Sequence, residues 1–256
     1  MKKLITLILS ICCIYNANGT HVVSGELTYQ HISENDYTVV LTLFRDCSEA
    51  SMSSTATASF NSSCGNFNQS LPQVAFSQIN PQCTVQLTTC NGGAAFGMQM
   101  YIYSDTVTLN PCADWVISYN LCCRNTSNTL IGQQNLYIDA QLNNTIFSNS
   151  SPVFTHELVV KFYGSNYICI NNTAWDTDGD SLIYSMVAAK QNATTPIAYN
   201  TGYSPSNPFN SSPLNFNPAN GNICTTPTLL GGFVYVIQVD EYHNGQFKIS
   251  DFFLYF

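Results

Sequence analysis

Short runs of alternating apolar and polar residues, separated by polar turns, restrict the fold of this chain more than any other feature. Two of them, "GELTYQHI" and "YTVVLTLFRDC", are rich in β-branched and aromatic residues and flank the polar stretch "SEND". Two such runs around a short turn predict a β-hairpin. The runs "MQMYIYSDTVTL", "WVISYNLCC" and "NLYIDAQL" continue the pattern, and helical periodicity is almost absent. The sequence therefore predicts an all-β protein.

The polar, proline-containing stretch "NNTIFSNSSPVF" divides the strand-rich sequence into two parts. Further strand candidates follow it, among them "SLIYSMVAA" and "GGFVYVIQVDEY". The spacing of all these runs fits two β-sandwich domains of ordinary size. We therefore predict one domain over residues 20–148 and a second over residues 149–256.

The first residues, "MKKLITLILSICCIYNANG", have the features of a secretory signal peptide. Two lysines precede an apolar run that is too short to span a bilayer comfortably, and small residues follow at Ala17 and Gly19. Residues 1–19 are therefore predicted to be a signal peptide. No later stretch is long and apolar enough for a membrane helix, so we expect a protein that is secreted or held at the cell surface.

The cysteines point to an oxidising compartment. Cys12 and Cys13 lie in the predicted signal peptide, and seven of the nine others precede residue 124. Disulfides are expected to cross-link mainly the first domain, whereas the second can hold one disulfide bond, between Cys169 and Cys224. Zinc is the rival explanation, but the sequence has no pair of CxxC motifs. The nine candidates for disulfide bonding are Cys47, Cys64, Cys83, Cys90, Cys112, Cys122, Cys123, Cys169 and Cys224.

The charge of the chain argues against nucleic-acid binding. Charged residues make up only 9% of the sequence, against roughly a quarter in a typical soluble domain. The net charge is -8 with only 7 basic residues, which leaves little with which to contact a phosphate backbone. We therefore expect partners that are extracellular or cell-surface proteins or glycans.

The stretch "DTDGDSLIYS" is the main candidate for a metal site. Asp176, Asp178 and Asp180 alternate, so in an extended or turning backbone their carboxylates can converge on one hard cation. Asp240 or Glu241, near the end of a later strand, can complete the ligand set. The loop is not an EF-hand, because its glycine lies between the second and third aspartates. The alternative is a turn rich in turn-forming residues with solvated carboxylates.

The second domain resembles bacterial cadherin-like and Ig-like sandwiches. The aspartate-rich turn is followed by the hairpin motif "LNFNPANGNICTTP" and then by the strand "GGFVYVIQVDEY", which is the order found in those families. In the hairpin, Asn220-Gly221 supplies the positive φ of a tight turn. The resemblance implies a calcium ion at Asp176, Asp178, Asp180 and Asp240 that stiffens the module rather than catalyses a reaction.

Nearly the whole chain after the signal peptide resembles the amino-terminal region of large secreted surface proteins of gliding and related Bacteroidetes. The stretches "HVVSGELTYQHISENDYTVVLTLFRDC", "SYNLCCRN" and "VDEYHNG" carry this resemblance. Such proteins usually end in a gliding-motility-associated sorting domain recognised by the type IX secretion system. This sequence ends at "SDFFLYF" without one, so we expect either a fragment or attachment through a secretion-system or surface-anchoring partner.

Catalytic motifs are missing from the sequence. It contains no G-x-S-x-G elbow, no HExxH and no glycine-rich phosphate loop. A copper site at His21 with a second histidine (His31, His156 or His243) is the one specific enzymatic alternative. We expect a non-catalytic adhesion or structural module, with a secreted glycan-binding or carbohydrate-active protein as the alternative. The loop "AYNTGYSPSNPFN" supplies the expected ligand contacts, Tyr199 and Tyr203.

Overall fold

The computed structural model describes residues 22–48, 51–79, 87–155 and 166–255. These residues form β-strands joined by turns and one short 3-10 helix at Thr89–Asn91, which confirms the predicted all-β class. Within the same ranges, no helix has the length and apolar character needed to cross a membrane. The predicted signal peptide lies outside the described residues.

In chain order the strands are β1 (Val22–Ser33), β2 (Asp36–Asp46), β3 (Thr55–Ser62), β4 (Gly65–Ile79), β5 (Met98–Thr108), β6 (Trp115–Leu121), β7 (Leu136–Leu142), β8 (Val153–Phe154), β9 (Ile168–Ile170), β10 (Ala174–Trp175), β11 (Ser181–Val187), β12 (Leu214–Phe216), β13 (Ile223–Thr225), β14 (Tyr235–His243) and β15 (Gln246–Tyr255).

Most strands belong to one large antiparallel sheet. Its ten strands have the order β1-β2-β5-β4-β3-β6-β7-β15-β14-β11, and a further pairing of β1 with β15 closes part of the sheet on itself. β1 and β2 form the predicted hairpin, in which Leu27 pairs with Leu41. Two smaller sheets, β8 with β10 and β12-β13-β9, complete the described part of the chain.

The alternation in the sequence is visible as alternating burial. Along β3, Ala56, Ala58 and Phe60 are buried while the residues between them are exposed or half-buried. Successive side chains of a strand point to opposite faces, so one face of this strand meets the core and the other meets solvent. β3 was not among the predicted strands, yet it shows the same period-two alternation that predicted the others.

The large sheet runs across the boundary predicted at residues 148 and 149. The last strand, β15, pairs with β14 along its length, with β7 at Asp251 and Ala140, and with β1 at Leu254 and Gly25. Because hydrogen bonds of one sheet join the two parts of the chain, the structure does not confirm the count of two β-sandwiches. Sequence periodicity locates strands but does not state which strands pair.

Both hydrophobic cores draw on both parts of the chain. In the larger core, Ile197 and Val234 pack with first-part residues such as Leu43. In the smaller core, Phe44 and Met98 pack against the strands of the second part. Burial of a large aliphatic or aromatic side chain stabilises a fold by about 1.5–3 kcal/mol, so these shared contacts couple the two parts energetically. The second-part residues of the smaller core are Ile170, Ala174, Tyr184, Phe209, Ile223, Phe233, Tyr235, Ile237 and Val239.

The hairpin predicted from "LNFNPANGNICTTP" is formed by β12 and β13. Phe216 pairs with Ile223, and Gly221 in the turn has a φ of +72°. A Cβ at Gly221 would lie 2.9 Å from the carbonyl oxygen of Asn172 and 2.8 Å from the ring of Tyr184. Glycine is therefore required here both by the backbone conformation and by the close approach of the neighbouring chain.

Candidate metal centre

The acidic turn lies between β10 and β11 and is organised by Asp176. The backbone N–H groups of Asp178 and Asp180 donate to Oδ1 of Asp176 at 3.0 and 2.8 Å. Gly179, at a φ of +80°, allows the chain to reverse. Asp176 is buried, and its second oxygen, Oδ2, has no hydrogen-bond partner. The turn is thus held by one oxygen of Asp176, while the other oxygen is left without a donor.

Strand register brings Glu241 to this turn. β14 pairs with β11 so that Glu241 lies opposite Leu182, next to the start of β11. One carboxylate oxygen from each of Asp176, Asp180 and Glu241 lies within 4.8 Å of the other two. Glu241 is fully buried, and the side chain of Asp180 is only 1% exposed. These three residues form the acidic cluster.

Two of the four predicted metal ligands lie elsewhere. Asp178 is on the exposed side of the turn, and its Oδ2 accepts the backbone N–H of Ser150 at 2.6 Å. Asp240 precedes Glu241 on β14 and accepts from Nε2 of Gln238 at 2.7 Å. Neighbouring residues of a strand point to opposite faces, so only one of Asp240 and Glu241 can face the turn. Of the two alternatives considered from the sequence, Glu241 is the one in the cluster.

The alternate aspartates diverge because the backbone between them turns. Side chains two residues apart point the same way only along an extended chain. Here a turn at Thr177 and Asp178 separates the two aspartates of the cluster. Asp176 and Asp180 therefore meet across the turn, and Asp178 lies at its tip.

The cluster concentrates negative charge in a place that water barely reaches. Burial raises the pKa of Asp176, and the charges of Asp180 and Asp178 raise it further, while hydrogen bonds from the backbone of the turn oppose the shift. At an effective dielectric constant near 20, two carboxylates at such a separation repel by about 3 kcal/mol. A cation bound between the three carboxylates would remove this repulsion.

Asn149 borders the cluster from the connection between β7 and β8. Its Nδ2 donates to Oε2 of Glu241 at 3.0 Å and to the hydroxyl of Tyr29 at 3.0 Å. The residue is 1% exposed, and its Oδ1 has no hydrogen-bond partner. Sequence reasoning missed Asn149, because nothing in "SNSSPV" distinguishes a buried amide from the other polar residues of a connection.

His243 lies on the more open side of the cluster. Its Nδ1 is 2.7 Å from Oδ1 of Asp180, and its ring contacts that of Phe147 at 4.8 Å between centroids. Contacts of this kind fix the orientation of a carboxylate that binds a metal. For the copper site considered from the sequence, His21 and His156 lie outside the described residues, and Nε2 of His31 bonds to the carbonyl oxygen of Glu34 at 3.1 Å.

The donor set fits a hard divalent cation. The cluster offers carboxylate oxygens, and calcium takes carboxylate and amide oxygens in an irregular shell of six to eight. Oδ2 of Asp176, a buried carboxylate oxygen without a hydrogen-bond donor, is an oxygen that such a cation would coordinate. A second group, Cys64, Cys112 and Asp114, does not fit a metal, because Cys64 and Cys112 are bonded to each other.

Eight of the nine candidate cysteines are paired. The bridge Cys169–Cys224 matches the one expected for the second part and links paired residues of β9 and β13. The others are Cys47–Cys90, Cys64–Cys112 and the adjacent pair Cys122–Cys123. Cys83 lies outside the described residues. The pairing agrees with an oxidising environment.

The two predicted ligand-binding tyrosines pack inward. Tyr199 is half-buried against the larger core, and its hydroxyl accepts the backbone N–H of Ala189 at 3.2 Å. Burial raises its pKa, which the hydrogen bond from Ala189 and the nearby charge of Arg124 partly offset. Tyr203 packs against the smaller core near Phe233. Neither ring is the open platform that the loop sequence suggests, and their role in binding stays a prediction.

We compared the chain with protein-family models, with curated proteins and with solved structures. None of the three comparisons finds a match.

Proposed function

We propose that this chain is an exported, non-catalytic β-sheet module that works at the cell surface in adhesion or as a structural unit, and that its acidic cluster binds calcium. The single observation that carries the calcium proposal is the buried cluster of Asp176, Asp180 and Glu241. Ions of like charge are rarely buried together unless a cation or protons compensate them. The cluster joins the acidic turn to strand β14, which pairs with β11 and β15, so a bound calcium ion stiffens the second part of the chain.

The disulfides and the surface chemistry support an extracellular location. Four bridges occur in the described residues, and charged residues are only 9% of the sequence. The sequence also resembles Bacteroidetes surface proteins. By that resemblance, we propose that a secretion-system or anchoring partner exports the chain and attaches it to the cell surface. Binding of another surface protein or a glycan is then assigned to the loops of the rigid sheet.

Thermal unfolding of the full-length chain in a chelator and in excess calcium tests the calcium proposal. We expect calcium to raise the melting temperature by several degrees, because a ligand that binds only the folded state stabilises it. Glu241→Gln should abolish the rise. An equal melting temperature in calcium and in chelator would contradict the proposal.

Exposed Trp175 favours glycan binding as a second candidate function. It immediately precedes the acidic turn, and the residue is 62% exposed, whereas Trp115, the other tryptophan of the chain, is buried. An exposed indole is a suitable surface for a sugar ring, and its fluorescence would change on stacking. Glycan titrations of the wild type and of Trp175→Phe test this candidate, which fails if the wild-type fluorescence does not respond to any glycan.

A further inference from the structure

A continuous chain of hydrogen bonds links the acidic cluster to the first strand of the protein. The hydroxyl of Tyr29 on β1 donates to the carbonyl oxygen of Gln141 on β7 at 2.7 Å. The same hydroxyl accepts from Nδ2 of Asn149 at 3.0 Å, and that nitrogen also donates to Oε2 of Glu241 at 3.0 Å. Tyr29 and Asn149 are each at most 2% exposed, so no water competes with these bonds.

The residues that follow Asn149 fix it in place. The backbone N–H of Ser151 donates to the carbonyl oxygen of Tyr29 at 2.8 Å, and the hydroxyl of Ser151 accepts the N–H of Tyr29 at 2.9 Å. The backbone N–H of Ser150 donates to Asp178 in the acidic turn. The connection between β7 and β8 is therefore held between β1 and the turn, with the Asn149 amide directed at Glu241.

The geometry points to Asn149 as the residue that positions Glu241 for the cation. The inference rests on the proposed calcium site. A donor on Oε2 fixes the rotation of the Glu241 carboxylate, and an oriented carboxylate binds a metal without first losing side-chain freedom. The hydroxyl of Tyr29 accepts a hydrogen bond from Nδ2 of Asn149 and thereby holds that nitrogen toward Glu241. A residue of β1 and the connection after β7 thereby set the affinity of a site whose carboxylates all belong to the second part of the chain.

The test uses calcium and terbium as probes of the full-length chain. Terbium binds oxygen-rich calcium sites, and Trp175, next to Asp176, can sensitise its luminescence. The luminescence lifetime in light and heavy water then counts the water molecules on the ion. Three variants are compared with the wild type: Asn149→Leu, Tyr29→Phe and, as a matched control in the same connection, Ser148→Ala.

We expect Asn149→Leu to weaken calcium binding by about tenfold or more, which is the usual effect of removing a residue that orients a metal ligand. We also expect about one additional water on terbium, since a mobile Glu241 leaves a coordination position to solvent. Tyr29→Phe should weaken binding in the same direction by a smaller factor, and it covers the case in which Asn149→Leu does not fold. Ser148→Ala should change neither quantity.

The outcomes separate this inference from the proposed function. If the wild type binds calcium and Asp176→Asn abolishes binding, but Asn149→Leu and Tyr29→Phe keep the wild-type affinity and hydration, the positioning role is wrong and the calcium site stands. If the wild type binds neither ion, the calcium site is wrong and the positioning role falls with it. If Asn149→Leu lowers the melting temperature but leaves the calcium affinity and the number of water molecules on terbium unchanged, Asn149 only stabilises the fold and the positioning role is wrong.

Discussion

Lys190 forms an ion pair with Asp139 across the boundary that the sequence suggested. Nζ of Lys190 lies 3.0 Å from Oδ2 of Asp139, a buried residue of β7, while Lys190 follows β11 in the second part of the chain. Burial raises the pKa of Asp139, and the charge and hydrogen bonds of Lys190 oppose that shift. The two parts are therefore joined by a charge pair as well as by strand pairing and shared cores.

Lys190→Met should lower the free energy of unfolding by about 2–3 kcal/mol at pH 7, because it leaves the buried Asp139 carboxylate without its cation. The loss should shrink at acidic pH, where Asp139 takes up a proton and needs no partner. Urea unfolding at pH 7 and pH 4 measures both effects. The double variant Asp139→Asn, Lys190→Met is the control and should recover much of the loss. An equal loss at both pH values would contradict this account.

Asp176→Asn should have opposite effects with and without calcium. In chelator it should raise the melting temperature, because it removes one of three mutually repelling buried charges while its oxygen still accepts from the turn. In excess calcium it should melt below the wild type, because a ligand is lost. Asp240→Asn is the matched control, since Asp240 lies outside the cluster, and should keep the wild-type calcium response. Identical behaviour of the two variants would contradict the assigned cluster.

Glu26 should make the stability of the protein depend on pH near neutrality. Glu26 lies opposite Thr42 in the β1–β2 pair, and burial raises its pKa from 4.5 to about 7, with the hydrogen bond to Thr42 opposing the shift. Between these two values the folded state keeps a proton that the unfolded state has lost, so the free energy of unfolding falls as pH rises. A shift of this size corresponds to about 3 kcal/mol.

Glu26→Gln should therefore stabilise the protein at pH 8 and leave it nearly unchanged at pH 4. Urea unfolding at the two pH values measures the difference. Glu34→Gln, on an exposed turn next to β1, is the control and should show no comparable pH-dependent gain. A Glu26→Gln variant with the same stability relative to wild type at both pH values would show that Glu26 is not protonated in the folded state.

Gly221→Ala should lower the free energy of unfolding more than Gly245→Ala does, although both glycines have a positive φ. At Gly245, with a φ of +78°, no atom lies within 4 Å of an added Cβ, so only the backbone cost of about 1–2 kcal/mol applies. At Gly221 the new Cβ would also overlap Asn172 and Tyr184. Urea unfolding of the two variants measures the difference, and equal losses would mean that the hairpin relaxes around the methyl group.

The sequence located the acidic turn better than it identified the residues of the acidic cluster. Charge spacing and turn-forming residues led directly to the turn that contains Asp176 and Asp180. The choice between Asp240 and Glu241 required the register of β14 against β11, and Asn149 is 27 residues before Asp176 with no motif of its own. These contacts are long-range, and local patterns carry no information about them.

By itself the sequence determined the all-β class, the β1–β2 hairpin, the tight turn at Asn220-Gly221 and the Cys169–Cys224 pairing. Each depends on residues that are close in the chain, or on the few cysteines available in the second part. Only the tertiary structure decided that β15 pairs with β7 and β1, that Glu241 faces the acidic turn, and that Tyr199 and Tyr203 pack inward. The physical reason is that period-two alternation states which residues share a face, whereas pairing and register follow from the burial of whole faces against each other.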